Sequence, residues 1–319
     1  MQAIIPAVER QILKNELEGH LLRPSNKAGN LIYDITAHDA PNVMREIARL
    51  REISYRDGGG ATGKEMDMDE MDTMPRPYHQ LIVWDPEHEE IVGGYRYLLG
   101  HEAELRKNEH GEKQPFITSA HLYHYSEQFI RNYLPHVIEF GRAFVQPMYQ
   151  TREMGVKALF ALDNIWDGIG AIMHNNPDIY YMLGKVTIYP SYPAEARELI
   201  YTYLDRYHRG DADLFAPYHP LAISEEANRI ADSFYHGDDK QENYKLLLQR
   251  LRELGTVIPP MFSAYLNLTN DLLFFGNAMN DELANVYETG IMVDLHTVYE
   301  EKKIRYINPY VEWLQSKNA

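Results

Sequence analysis

Apolar and polar positions along the chain keep two different periods, and the switches between them lay out the elements. After an N-terminal arm (residues 1–29), Leu31-Ile32-Tyr33-Asp34-Ile35 reads as a first strand. Val43, Ile47, Leu50 and Ile53 then recur at helical spacing, with Asp39 and Pro41 as start signals. Gly58-Gly59-Gly60-Ala61-Thr62-Gly63 ends that helix in a mobile loop. Gln80–Trp84 and Ile91–Leu98 read as a hairpin across Asp85-Pro86-Glu87-His88. A helix around His121–Tyr133 leads into a strand over Val137–Val145. The longest helix runs from about Thr151 to Met173, with Leu159, Leu162, Trp166, Ile169 and Met173 as its apolar stripe. A strand follows over Ile179–Ile188, then a helix over Ala194–Tyr207. Residues of about 209–254 turn polar and helical and read as an insertion. Pro259-Pro260 opens a short helix, and Leu272–Phe275 and Ile291–Leu295 make the final strands. Neither regular βαβ alternation nor an all-β meander fits. The predicted class is α/β (α+β), a mixed central sheet flanked by helices, with the main domain over residues 30–296 and an extension over 297–319.

Composition narrows the function. A chain of 319 residues buries a large core. Its formal charge of −16 argues against non-specific nucleic-acid binding, which needs a basic footprint. The absence of cysteine excludes a thiol nucleophile, thiolate metal sites and disulfides. The N-terminus lacks the build of a signal peptide, and no window approaches the roughly 20 apolar residues of a membrane helix. The expectation is a soluble cytoplasmic protein.

The candidate chemistry lies in charges set against strands: Arg51, Asp67, Asp69, Asp72, Glu139 and Arg142. The Asp67–Asp72 block reads in three ways. Most such runs are solvated acidic turns; alternate carboxylates can also bind a hard cation; or the block forms a recess for an amine and partners Arg51 and Arg96. Glu139 and Arg142 differ by three positions on one strand. They point to opposite faces unless a bulge intervenes, which Gly141 permits. A structural ion pair with Arg51 or Asp69 is the competing reading. Gly58 to Lys64 matches the glycine–lysine spacing of a phosphate-binding loop. However, Glu65 stands where a Ser or Thr must ligate magnesium, so the match is set aside. No role is assigned to any histidine.

Taken in order, Arg51-x-x-x-Tyr55, Asp67-x-Asp69-x-x-Asp72, Gly94-x-Arg96 and Glu139-x-x-Arg142 resemble the signature of acyl-homoserine-lactone synthases. Even closer is the similarity to the hemolysin-like bacterial N-acyltransferases, which include the ornithine and glycine N-acyltransferases of lipoamino-acid synthesis. Phe144-Val145-Gln146-Pro147-x-Tyr149-Gln150 and Ile258-Pro259-Pro260-x-Phe262-x-Ala264-Tyr265-Leu266 look like that group. The resemblance covers roughly residues 30–296 and implies the GNAT fold. In that fold, the loop between the Glu139 strand and the long helix cradles a pyrophosphate or phosphopantetheine arm on helix N–H groups. The loop here is Arg152-x-x-Gly155-x-Lys157, and Lys157 departs from the family's small final residue. A carrier protein's single phosphodiester is less demanding of that loop than a CoA pyrophosphate.

The resemblance implies transfer of a long-chain fatty acyl group, with or without a 3-hydroxyl, from acyl carrier protein or acyl-CoA to the amine of a small amino acid such as glycine or ornithine. No bound cofactor or metal is implied. Glu139, Arg142 and Asp69 are the expected catalytic residues, and Arg51, Asp67, Asp72 and Arg96 the expected substrate-binding ones. Phe144, Val145, Gln146, Arg152, Gly155 and Lys157 are expected to hold the donor, with backbone N–H groups of 144–146 facing the oxyanion. Arg131, Arg152, Lys157, Lys185, Arg197 and Arg206 are expected to form a basic patch for the acidic carrier. Peripheral contact with the inner membrane is a further expectation. The alternatives are a non-catalytic acyl- or partner-binding module on the same fold, an acyl-CoA-dependent N-acetyltransferase, and a carboxylate-bound metal enzyme.

Overall fold

The near-continuous apolar runs of the predicted hairpin signal strands covered on both faces. The computed structural model, which describes residues 1–108 and 111–317, has them so. The chain divides into two units. The first comprises Met1–Glu102, Ile138–Ile179 and Tyr299–Ala319; the second comprises Ala103–Val137 and Tyr180–Val298.

In the first unit, strands β1 (Leu21–Pro24), β2 (Leu31–Ile35), β3 (His79–Asp85), β4 (Glu90–Leu99) and β5 (Val137–Val145) follow one another as an antiparallel meander. One face carries helices α1 (Arg10–Leu17) and α2 (Pro41–Gly58), whose Leu13, Val43, Met44, Ile47 and Leu50 pack with Ile82, Trp84 and Phe144. Beyond α2 lies the single turn α3 (Glu70–Thr73). Helix α4 (Val156–Asn175) runs close to Leu81 and Ile32. At Gly168 an added Cβ would come within 3 Å of both, so glycine is required for the approach. The C-terminal helices Glu300–Tyr306 and Asn308–Lys317 belong to this unit, the first packing on α4.

Three local expectations are corrected. Asp39 does not cap α2. It accepts from the Thr36 amide at 2.7 Å, and Pro41, whose missing N–H costs nothing in a first turn, starts the helix. The glycine loop after α2 is anchored rather than free: Glu52 accepts from the amides of Thr62 (3.2 Å) and Gly63 (3.0 Å) and from Thr62 Oγ1 (2.7 Å). Those donors are spent on a carboxylate, which further disposes of a phosphate loop. Helix α4 starts at Val156, because the 3₁₀ turns Pro147–Gln150 and Arg152–Met154 and the positive φ of Gly155 (53°) precede it. Leu159 therefore lies in an outward-facing first turn, 74% exposed, and the buried stripe is Ala161, Ile165, Trp166, Ile169 and Ile172.

In the second unit, β6 (Tyr181–Ile188), β7 (Leu272–Asn280) and β8 (Val286–Asp294) form an antiparallel sheet with β8 central. The helix Ala194–Tyr207 falls where its periodicity placed it. Helices Glu225–Phe234 and Lys240–Glu253, from the polar stretch, pack on it with Ala227, Ala231, Leu247 and Leu251 buried. The segment expected as one helix over His121–Tyr133 is instead a strand, Tyr123–Tyr125, paired with Phe215–Pro217, followed by a short helix, Glu127–Asn132. Aromatic Tyr-His-Tyr favours the strand, and Ser126 caps the helix by accepting from the Phe129 amide.

Candidate active site

Helix α2 places Arg51 and Tyr55 one turn apart on the face toward the sheet. Arg51 Nη1 donates to both carboxylate oxygens of Asp72 at 3.2 Å, and its Nη2 donates to Gln80. The Tyr55 hydroxyl donates to the Ala143 carbonyl at 3.1 Å, which ties the helix to strand β5. The acidic block is folded by its own carboxylates. Asp69 caps α3 by accepting from the Asp72 amide, and Asp72 answers by accepting from the Asp69 amide.

Strand β4 supplies Arg96, whose Nη1 donates to Asp69 at 2.8 Å and to Asp72 at 3.1 Å. Arg142 lies 2.9 Å from Asp67 and 3.6 Å from Asp69. Arginine and aspartate thus alternate as Arg51, Asp72, Arg96, Asp69, Arg142, Asp67, three charges of each sign. The solvated acidic turn is overturned: the block is the buried counter-ion of three guanidinium groups. Burial alone would raise the carboxyls of Asp69 and Asp72. Arg96 with Arg142, and Arg51 with Arg96, outweigh it and hold both below the usual carboxylate range.

Register places Glu139 on the same face. Leu98 pairs with Glu139 and Arg96 with Gly141, while Gln80 pairs with Arg96. Tyr78, one residue before β3, donates its hydroxyl to Glu139 Oε2, and its ring lies 5.0 Å from the Arg96 guanidinium. Arg142 would point the other way on a regular strand. Between the Gly94–Phe144 and Arg96–Gly141 pairs, however, two residues of β5 oppose Tyr95 alone. The expected bulge exists, but Arg142 itself, at φ 56°, adopts the left-handed conformation rather than Gly141. A bulky residue held there is strained. Tyr78 and Gln80 complete the site and were missed by sequence reasoning; only Tyr78's place just before β3 and Gln80's register opposite Arg96 could have found them.

The loop expected to hold the donor has most of its groups already engaged. Phe144 packs in the core against α2. The Gln146 amide donates to Val92 O at 3.0 Å and its side chain to Ile91 O, so neither faces an oxyanion. Val145 sits opposite Gly93 in the β4 ladder and accepts from the Gln150 side chain at 2.6 Å. Lys157 binds Asp85 and lies 3.3 Å from Glu87. Asp85 also accepts from Tyr149 Oη at 2.8 Å, and these donors overcome burial to lower its carboxyl to about 2. Arg152 and Gly155 are exposed at the turn into α4. Of the expected patch, Lys185 lies 3.7 Å from Glu288, Arg206 lies 2.6 Å from Asp232, and Arg197 stacks on the Tyr287 ring at 3.8 Å. Lys185 and Arg206 are thus paired with carboxylates, and Arg197 is held on a ring, within the second unit.

The His-x-x-x-x-Asp spacing of acyltransferases that acylate hydroxyls, expected to be absent, does occur at His208 and Asp213, but among the described residues they form no dyad. His208 is buried, with Nδ1 3.1 Å from Leu272 O and Nε2 3.3 Å from the Tyr203 hydroxyl, while Asp213 is exposed.

An acetyltransferase (GNAT) domain profile matches residues 50–159, a span from Arg51 to the start of α4. The protein is an acyltransferase with a GNAT-like fold, a sheet flanked by helices. Two curated proteins, both named glycine N(alpha)-acyltransferase, are 46% identical to it. The one from Phocaeicola vulgatus aligns over 98% of this chain and 94% of its own, and the one from Bacteroides thetaiotaomicron over 98% and 91%. The chain belongs to this family of GNAT N-acyltransferases. The CoA-dependent acyl-homoserine lactone synthase BjaI, solved with MTA, is 13% identical over 89% of this chain and 90% of its own, with a TM-score of 0.38, too loose a likeness to argue from. No described helix is long and apolar enough to cross a membrane.

Proposed function

We propose that the protein transfers a long-chain fatty acyl group from acyl carrier protein to the amino group of glycine, forming an N-acyl amino acid. The observation that carries the reading is Glu139, a buried carboxylate hydrogen-bonded by Tyr78 beside the Arg–Asp network, in a chain 46% identical to proteins named for acylating glycine. The acceptor arrives as an ammonium, and Glu139 takes its proton directly or through water. The amine then attacks the thioester carbonyl; the C–N bond forms, the C–S bond breaks, and the thiol leaves protonated. The chain has no cysteine, so direct transfer needs no thiol-bound intermediate.

A carrier-bound donor is favoured because Lys157 is engaged by Asp85 and Glu87, which leaves Arg152 as the exposed cation of the loop. One guanidinium suits one phosphodiester better than a pyrophosphate with an extra phosphate. The product is itself a lipid, which supports a peripheral contact with the inner membrane. The test incubates purified protein with glycine or ornithine and either acyl carrier protein or CoA carrying the same long acyl chain, read by mass spectrometry. N-acylglycine from the carrier-bound donor is expected. Product from acyl-CoA alone overturns the donor, ornithine product alone overturns the acceptor, and no product with any pair overturns the reading.

A further inference from the structure

The three arginines of the network are not equivalent. Arg51 and Arg96 are each 1% exposed, and their terminal nitrogens donate to Asp72, Gln80 and Asp69. The Arg142 side chain is 17% exposed and, among the described residues, makes no hydrogen bond. Its Nε lies 2.9 Å from Asp67 Oδ2, yet the two atoms are misaligned and both are left buried without a hydrogen-bond partner. Its Nη2 stands 3.6 Å from Asp69, beyond hydrogen-bond reach, and Asp69 is already bonded to Arg96. Asp69, with its side chain 32% exposed, marks this as the wet end of the network. The left-handed backbone at Arg142 holds a bulky side chain in a costly conformation, with the Ala143 carbonyl pinned by Tyr55.

We infer that Arg142 is the anchor for the acceptor's α-carboxylate, so that the site selects zwitterionic α-amino acids over amines that lack a carboxylate. This rests on the amino-acid acceptor reading above. A free amino acid carries its ammonium and its carboxylate one carbon apart, and its receptor needs an acid and a cation side by side. The bulge supplies that pairing by turning Arg142 to the face of Glu139, three residues away. Asp67 and Asp69 hold the guanidinium by charge without using up its fork, which a carboxylate can grip with two parallel bonds.

The experiment compares glycine with glycinamide, which keeps the amine and replaces the carboxylate, using one acylated carrier. Wild-type protein is expected to favour glycine by about 30-fold or more in kcat/KM, the loss that goes with leaving a charge unpaired. Arg142→Lys, which keeps the charge but not the fork, should raise KM for glycine about tenfold or more and change glycinamide turnover much less, so the preference shrinks. Equal use of glycine and glycinamide by the wild type overturns this inference alone, with no variant needed. A parallel fall with both acceptors in Arg142→Lys also overturns it. No acylation of any α-amino acid overturns the acceptor reading, and this inference with it.

Discussion

The Tyr78 hydroxyl meets the Glu139 carboxylate across strand β4, two strands apart in the sheet, while the Tyr78 ring covers Arg96. One side chain therefore touches both the candidate base and the neighbouring cation. Tyr78→Phe keeps the ring and removes the donor. Loss of that orienting bond should lower kcat/KM about tenfold near neutrality, with acylated-carrier binding and the thermal melt near wild type. An unchanged rate would mean that the contact is packing only.

Glu139→Gln should abolish turnover by about 10²–10⁴-fold near neutrality while carrier binding stays near wild type. Raising the pH should recover part of the rate, because more acceptor arrives already deprotonated. A single-turnover assay against pH, with binding followed by calorimetry, separates this from a structural role. In the structural case the variant loses binding and melts early, without rescue at high pH.

Asp72 is the hub of the network, bonded by Arg51, Arg96, Gln80 and the Asp69 amide. Asp72→Asn leaves two buried guanidinium groups short of a counter-ion. A loss of about 3–5 kcal/mol is expected in denaturant melts, against about 1 kcal/mol or less for an exposed pair such as Arg229 with Glu226. Similar small losses in both would show that the network contributes little to folding.

Arg152 and Lys157 are expected to separate. Arg152 is exposed, and Arg152→Glu should raise KM for the acylated carrier several-fold without changing the melt. Lys157→Glu sets a carboxylate against buried Asp85 and should cost about 3 kcal/mol or more of stability. A thermal melt beside donor kinetics tells them apart. Coincident behaviour would restore both residues to one donor surface.

Which residues gather at the site was legible because charge inside an apolar context stands out. Arg51 and Tyr55 at helical spacing, and the Asp67-x-Asp69-x-x-Asp72 block, each carry their own pattern, and the structure brings them to Arg96, Glu139 and Arg142. Tyr78 was not legible: one tyrosine of 24 at the start of a strand carries no pattern, and only strand register joins it to Glu139. The bulge was foreseen at the residue with no side-chain penalty, Gly141, yet Arg142 bears the strain. That choice depends on Tyr55 and Asp67, far away in sequence. Leu159 was misjudged because periodicity alone does not say where a helix meets the sheet; the turns before Val156 do.

His208 offers a test that separates fold from chemistry. Burial, and then the nearby Lys240, lower its imidazole to about 4, so the folded protein keeps it neutral where the unfolded chain, near 6.5, takes up a proton. Its contribution to stability is therefore complete above about pH 6.5 and is lost as pH falls through 4, by about 3 kcal/mol in all. Asp167 works in the opposite sense. Burial, only partly offset by the Asn26 amide and Arg23, raises its carboxyl to about 6, which favours the folded state as pH falls from 6 toward 4. The informative quantity is thus the difference between His208→Gln and wild type, measured by thermal melts from pH 4 to 7.5. That difference should shrink steadily toward low pH as the wild type loses its advantage. Acyl transfer by the variant at pH 7.5 should stay near wild type, because His208 is held by Leu272 and Tyr203 rather than by Asp213. Loss of transfer in a variant that still melts normally would instead assign catalysis to His208.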